Sequence, residues 1–270
     1  MKSFQLTPQQ IADYHRDGYI ICKNFLSKDE ADKLYQTAKA DDVMITNAFD
    51  LNDKQGKKTK LSLWYTPGDD VYGYHARSQR IVDAVDALLD GDSEVCHFHT
   101  KLMQKEPKVG GAWEWHQDYG YWYKDQFLFP EQLISVMTAI TEATKENGCL
   151  QVLKGSHKTG RFEHFFVGEQ RGADMHYVNL AQKHFELVYV ELKPGDVLIF
   201  HSNLLHTSAA NNSEKARWSI ISCYNRAANT GYNIQSKSAM IPIKPVPNNA
   251  LLEWESKGLS ADNEFKESGV

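Results

Sequence analysis

From residue 95 onward the chain stops repeating at helical spacing and begins to alternate. Apolar and polar residues exchange places along 95–104, 133–141, 150–153, 187–192, 197–200 and 216–224. A period of two sends successive side chains to opposite faces of a strand. Turn material separates the runs, notably Val109-Gly110-Gly111, Asn147-Gly148 and Pro194-Gly195-Asp196. Many short strands with such punctuation build sandwiches and barrels.

The first ninety or so residues read differently. Thr7-Pro8 has the form of a helix cap followed by a first-turn proline, with Ile11 and Tyr14 as the apolar stripe and Gly18 as the stop. Tyr19-Ile20-Ile21-Cys22 is a β-rich run. Ser27 and Glu30 form a capping box for a helix that carries Ala31, Leu34 and Ala38 on one side to about Ala40. Residues 41–60 turn polar and lysine-rich and read as a mobile loop. A short strand is expected over 61–65, closed by Pro67-Gly68, and Ser78 caps a helix with Ile81, Val82, Val85, Leu88 and Leu89 that runs until Gly91. Helices first and many strands after predict a mainly β fold, a double-sheet barrel braced by helices on one face.

One domain is expected over 1–270: a helical part at about 7–90, a β core at about 94–226 and a tail at about 240–270. Inserts at 123–132 and about 155–186 interrupt the core, and inserts of that length serve as lids or substrate loops. The hydrophobic fraction of 41% suffices for a sizeable core. A net charge of −5 gives no electrostatic reason to expect nucleic acid or an anionic membrane. Neither a signal core nor a bilayer-length apolar span is present, so the protein reads as soluble and cytoplasmic, without membrane insertion. Cys22, Cys96, Cys149 and Cys223 lie far apart and read as buried free thiols.

Chemistry-bearing residues gather around Trp113-Glu114-Trp115-His116-Gln117-Asp118-Tyr119-Gly120-Tyr121-Trp122. On a strand, His116 and Asp118 share a face and can converge on one ion. A third ligand is needed, and the strand after Pro194-Gly195-Asp196 ends at two histidines, His201 and His206. Two histidines and a carboxylate make the facial set of non-haem Fe(II) oxygenases, which leaves positions for a chelating oxoacid and dioxygen. Arg217 lies eleven residues past His206, and a hairpin would return it beside His206 and Ser208 to grip a carboxylate.

Three blocks in order resemble the phytanoyl-CoA dioxygenase family: His116-Gln117-Asp118, the segment 146–157 (ENGCLQVLKGSH), and His206-x-Ser208-x-x-Asn211-x-Ser213-x-x-x-Arg217. The opening helix with Asp17-Gly18-Tyr19 is similar too, and the likeness runs from about residue 7 to about 226. The resemblance implies a double-stranded β-helix (jelly roll, cupin-like) with N-terminal helices packed on one sheet. It implies Fe(II), 2-oxoglutarate and O2, with ascorbate as a stimulant. His116, Asp118 and His206 would hold iron, and Arg217 and Ser208 the far carboxylate of 2-oxoglutarate, with Lys101, Ser135 and Met137 on pocket-lining strands. Lys60 is a further candidate cation. His201 falls before the ligand position.

The activity so implied is hydroxylation of an unactivated C–H bond of a small-molecule metabolite, with release of succinate and CO2. Asp118 argues against halogenation, because halogenases of similar fold have a small residue there. Gln117, Trp122 and Arg161 are the candidate substrate residues; Trp122 is reached from His116 by even steps along a strand. Segment 155–186, with Arg161, His164, Gln170, Arg171 and His176, is the candidate lid. His97, His99 and His157 read as structural. The alternatives are desaturation or cyclisation with the same cofactors, acyl-CoA hydroxylation with Lys154, Lys158 and Arg161 near the nucleotide tail, a non-catalytic metal- or oxoacid-binding sensor, and an iron-free cupin-like protein. Oligomeric state is not legible in the sequence.

Overall fold

The computed structural model describes residues 4–123, 127, 129–231, 241–255 and 264–266. Local capping starts the N-terminal part. In α1 (Pro8–Asp17) Thr7 accepts from the Gln10 amide while the Gln10 side chain accepts from Thr7, and Gly18 closes the helix at φ 83°. That left-handed conformation suits glycine, which has no Cβ to clash. Ser27 and Glu30 make the reciprocal box that opens α2 (Lys28–Ala40). Two short helices follow that periodicity does not reveal, α3 (Asp42–Thr46) and α4 (Val71–Ala76). Helix α5 (Gln79–Asp86) starts after Ser78, whose side chain makes no cap bond, and it ends at Asp86 rather than Gly91. Leu88 and Leu89 are buried in the turn beyond it.

The strands, in chain order, begin with β1 (Tyr19–Cys22), β2 (Phe49–Asn52), β3 (Lys58–Trp64), β4 (Val95–Lys105) and β5 (Trp113–His116). Then come β6 (Leu133–Ala139), β7 (Leu150–Leu153), β8 (His164–Val167) and β9 (Gln170–Ala173). The last are β10 (Leu187–Val190), β11 (Val197–His201), β12 (His206–Ser208) and β13 (Arg217–Arg226). A seven-stranded sheet has the order β1-β11-β6-β13-β4-β3-β2, and a four-stranded sheet the order β10-β7-β12-β5. Every pairing in them is antiparallel.

Alternation sorts the core into two layers. Leu102, Val136, Ile199 and Ile220 face the helices, where they meet Leu34, Tyr72, Ile81 and Val85. Their neighbours Met103, Met137, Leu198 and Ile221 face the lumen and meet Leu150 and Val152 of the smaller sheet. The result is the expected jelly roll with helices on one sheet.

Residues 41–60 correct the sequence reading. They hold α3 and most of a β2–β3 hairpin that extends the large sheet. Leu51 and Leu61 point into the lumen-side core while the intervening lysines stay outside, so the polar composition hides a strand pair. Insert 155–186 is folded, with the β8–β9 hairpin and helix α7 (Met175–His184) around a core of Ala173, Val178 and Ala181. The described part of the tail packs on the body through bridges from Pro242 to Cys96 and Val246 to Ser78, and through buried Leu251 of α8 (Ala250–Glu253). Residues 256–263 and 267–270 of the expected tail, and parts of insert 123–132, lie outside the described residues. All four cysteines are free and buried. Among the described residues no helix is long and apolar enough to cross a membrane.

Candidate metal and cosubstrate centre

Strand pairing brings together residues ninety apart in the sequence. In the smaller sheet β12 lies between β5 and β7, and His206 is the direct register partner of His116. Their rings sit 4.0 Å apart, centroid to centroid. Strand β5 stops at His116, Gln117 remains extended, and Asp118 opens a helical turn, α6 (Asp118–Trp122). The carboxylate therefore swings back toward both imidazoles. Asp118 Oδ1 lies 3.7 Å from His116 Nε2 and 3.9 Å from His206 Nε2. One ligand atom from each residue falls within 4.8 Å of the others, and all three residues are buried.

Hydrogen bonds fix the donor set. The Nδ1 of His116 meets the Glu114 carbonyl and that of His206 the Leu204 carbonyl, each at 2.8 Å. A carbonyl only accepts, so Nδ1 carries the proton and Nε2 presents its lone pair to the cluster. Burial, and then the neighbouring imidazole, holds the His116 pKa well below the ordinary histidine range; burial lowers that of His206 as well. For Asp118, burial favours protonation, but Lys101, His206 and Ser135 outweigh it and keep the carboxylate charged. Ser135 Oγ donates to Asp118 Oδ2 at 2.6 Å, which leaves Oδ1 for the cluster. Two neutral imidazoles and one carboxylate on a common point fit a divalent non-haem iron.

A second, narrow cavity of about 30 Å³ adjoins this cluster, lined by Lys101, Met103, His206, Ser208, Arg217 and Ile221 among others. Its wall includes the buried guanidinium of Arg217, and the buried amine of Lys105 stands behind Ser208. Lys105 and Arg217 are register partners on β4 and β13. Lys105 is fully buried and donates to Ser208 Oγ and the Ala209 carbonyl, both at 2.7 Å, which uses two of its three N–H groups. Arg217 Nη2 finds only the Met137 sulfur at 3.7 Å, and its buried Nε has no partner among the described residues. Burial and the facing guanidinium hold the Lys105 pKa well below the ordinary lysine range, while burial brings that of Arg217 down to about 10. An Arg217 guanidinium with spare donors on the wall of the slot, backed by the Lys105–Ser208 pair, fits the carboxylate of an oxoacid whose other end reaches the metal point.

The larger cavity, about 160 Å³, opens on the other side of the cluster and shares Lys101, Trp113 and His116 as walls. Trp122 lines it as expected, but for a different reason. The strand has ended, and the helical turn also presents Tyr121, which even-step counting ranked below Trp122. Gly120 lies where the turn packs on His164, whose ring would stand 2.1 Å from an added Cβ.

Several sequence assignments are corrected. Gln117 is fully buried and is a structural staple: its amide donates to the carbonyls of Gly160 and Asn203 and accepts from the Phe162 amide. Arg161 pairs with Glu163, stacks on Tyr123 and lines neither cavity. Of the lid residues it is Arg171 that reaches the larger cavity. Ser135 serves the carboxylate ligand instead of the slot, and Lys60 lines a separate outer groove. Lys154 is paired with Asp17.

Arg217 does not return by a hairpin. It sits on the large sheet and meets Ser208 across the lumen. His97 bonds Tyr65 and Thr100, His157 the His15 carbonyl, and His201 accepts from the Asn203 amide, all structural roles; His99 is a wall of the larger cavity. Lys105 was missed, although it shares a strand face with Lys101, four residues earlier.

A family model described as phytanoyl-CoA dioxygenase matches residues 14–219. L-proline trans-4-hydroxylase of Streptomyces griseoviridis is 25% identical over 233 residues, covering 80% of this chain and 85% of that protein. Ectoine dioxygenase of Sphingopyxis alaskensis is 27% identical over 244 residues, covering 83% of this chain and 77% of that protein. The crystal structure of EctD from S. alaskensis with bound Fe has the same fold, at a TM-score of 0.73 and 21% identity, covering 92% of this chain and 90% of that one.

Proposed function

The chain belongs to the phytanoyl-CoA dioxygenase family, and from that premise we propose that it hydroxylates an unactivated C–H bond of a free small-molecule metabolite. It is a non-haem iron, 2-oxoglutarate-dependent dioxygenase that uses Fe(II), 2-oxoglutarate and O2. The observation that carries the reading is the buried cluster of His116, Asp118 and His206 beside a slot walled by the buried, unneutralised Arg217. Bound together, the metal and 2-oxoglutarate supply the activation of O2 that turns C–H into C–OH, with 2-oxoglutarate leaving as succinate and CO2.

The chain's own residues hold and orient. His116 and His206 present Nε2, and Asp118 presents Oδ1, to the metal. Ser135 keeps Oδ2 occupied and so fixes the rotation of the carboxylate. Arg217, Lys105 and Ser208 take the far carboxylate of the cosubstrate, and Met103 and Ile221 keep water from its chain. On the other side Trp113, Tyr121, Trp122 and Phe98 wall the space where the C–H bond must lie, which excludes solvent from the reacting centre.

Cavity size favours a free metabolite over a whole acyl-CoA. An apolar cavity of about 150 Å³ takes a guest the size of benzene, and this one has about 160 Å³. Two relatives are named for small substrates, proline and ectoine. A metabolite panel assayed for succinate release under air tests the proposal. Stimulation by a small metabolite over the substrate-free rate is expected, and stimulation by acyl-CoA esters alone would overturn the substrate reading.

A second expectation concerns Ser135. Ser135→Ala frees Asp118 Oδ2 to rotate, and loss of an outer-shell partner costs about 10- to 100-fold in metal affinity. Competition with a coloured chelator should show Fe(II) held that much more weakly, with the fold intact by circular dichroism.

A further inference from the structure

The larger cavity is unevenly charged. Its described walls carry three cationic side chains, Lys101, Arg171 and Lys266, against one carboxylate, Asp118. That carboxylate is committed to the metal cluster and to Ser135. The rest of the lining is Phe49, Leu51, Leu61, Leu63 and aromatic rings, with His99 neutral because burial holds its pKa well below the ordinary range.

Arg171 is held by its backbone. Its carbonyl accepts from Tyr121 Oη at 2.6 Å, which ties β9 to the turn that starts at Asp118. The guanidinium lies 4.5 Å over the Phe166 ring and makes no ion pair with a described residue. Nearby acids are engaged elsewhere: Glu163 with Arg161, Glu114 with Lys54, and Glu169 with Asn52. Lys101 Nζ stands 4.0 Å from Asp118 Oδ1, on the wall that both cavities share. A divalent ion held by that oxygen would draw the carboxylate's charge toward itself and leave the ammonium to face the cavity.

Counting charge completes the case. A divalent metal, Asp118 and the near carboxylate of 2-oxoglutarate would sum to zero, and Arg217 would answer the far carboxylate. On the cavity wall Arg171 has no ion-pair partner among the described residues and Lys101 faces only the Asp118 carboxylate already committed to the cluster, with Lys266 as a third cation beside them, an arrangement that favours an incoming anion. Resting on the dioxygenase reading, we infer that the substrate is a small organic anion whose carboxylate is gripped by Arg171 and faced by Lys101 while its C–H bond lies against the metal cluster. A planar guanidinium offers two parallel N–H groups to a carboxylate, which makes Arg171 the orienting contact. The cavity volume of about 160 Å³ suits a small metabolite with a body about the size of a benzene ring.

The test uses protein loaded without oxygen with Fe(II) and 2-oxoglutarate, loading being followed by the visible absorption of the chelate. Benzoate and benzamide, alike in size and different in charge, are titrated by calorimetry. Benzoate should bind about tenfold or more tightly than benzamide, the worth of a hydrogen-bonded charge pair. Arg171→Gln should erase the preference with the absorption retained, Arg171→Lys should keep part of it, and Lys101→Met should reduce it. Equal affinity of the two probes for the unaltered protein, or a preference that survives Arg171→Gln, would overturn the inference. Absence of the chelate absorption would instead count against the dioxygenase reading, and the probe preference would still be read on the same protein.

Discussion

Replacing Asp118 with alanine should leave a folded protein that no longer retains Fe(II) and no longer releases succinate. Oδ1 of this residue is the point both imidazoles face, at 3.7 and 3.9 Å. Its removal leaves two neutral nitrogens, and no other described carboxylate joins them in a metal-holding group. Loss of an outer-shell partner already weakens metal by up to about 100-fold, so loss of the charged ligand should exceed that. The variant also deprives Ser135 and Lys101 of their partner, which is why the fold must be checked by circular dichroism before the metal is measured. His206→Ala should behave the same way. Metal content and succinate release at the unaltered level in either variant would refute the assignment of the triad.

The second large effect lies at the other end of the cosubstrate slot, where two substitutions should separate binding from stability. Arg217→Ala removes a buried charge-assisted partner of the far carboxylate, a loss of about 2–5 kcal/mol, or roughly 30-fold or more in 2-oxoglutarate affinity. Lys105→Met should also weaken 2-oxoglutarate, yet raise the melting temperature of the cosubstrate-free protein. The ammonium is fully buried beside Arg217, and an apolar side chain of similar length relieves both the desolvation and the repulsion. The sign against pH follows. The folded-state pKa of Lys105 is depressed, so unfolding takes up a proton between that value and the unfolded value of about 10.4. Stability of the cosubstrate-free protein therefore gains from Lys105 as pH rises through that window, and Lys105→Met should flatten the gain. Unchanged affinity for 2-oxoglutarate in both variants would show that the slot takes another ligand.

Much of this was legible in the residues because strand alternation and metal chemistry leave strong marks. The two-layer sorting of β4, β6, β11 and β13 follows from a period of two, and the triad follows from residue types that seldom converge without a metal. What failed did so for identifiable reasons. The β2–β3 hairpin carries its lysines on the outward face, so composition masked the alternation of Leu51 and Leu61. Trp122 was judged by strand geometry and Gln117 was named as a substrate residue, but the strand stops at His116 and a helical turn begins, which buries Gln117 as a staple and swings Tyr121 into the cavity. Arg217 was expected on a hairpin with His206; the contact instead spans two sheets, a relation no local spacing encodes. Lys105 was passed over because nothing local distinguishes it from an exposed lysine; its full burial comes only from the sheet packed across it.

The staple at Gln117 divides the 155–186 insert into parts with different freedom to change in sequence. Its side chain, set between two residues of the triad, binds Gly160, Phe162 and Asn203, and its own amide donates to His164. The root of the insert is thus fastened to the metal cluster, and a substitution there is transmitted to ligand geometry. In the hairpin itself only the outer face is open to change: Phe165 and Phe166 are exposed and the Arg171 side chain reaches the cavity from β9, whereas Gln170 is buried, accepts from the Glu114 amide and donates to the Ala112 carbonyl. Selectivity can accordingly drift, or be re-engineered, at Phe165, Phe166 and Arg171 while 160–164 and Gln170 stay as they are: an exchangeable reader on a fixed reaction centre.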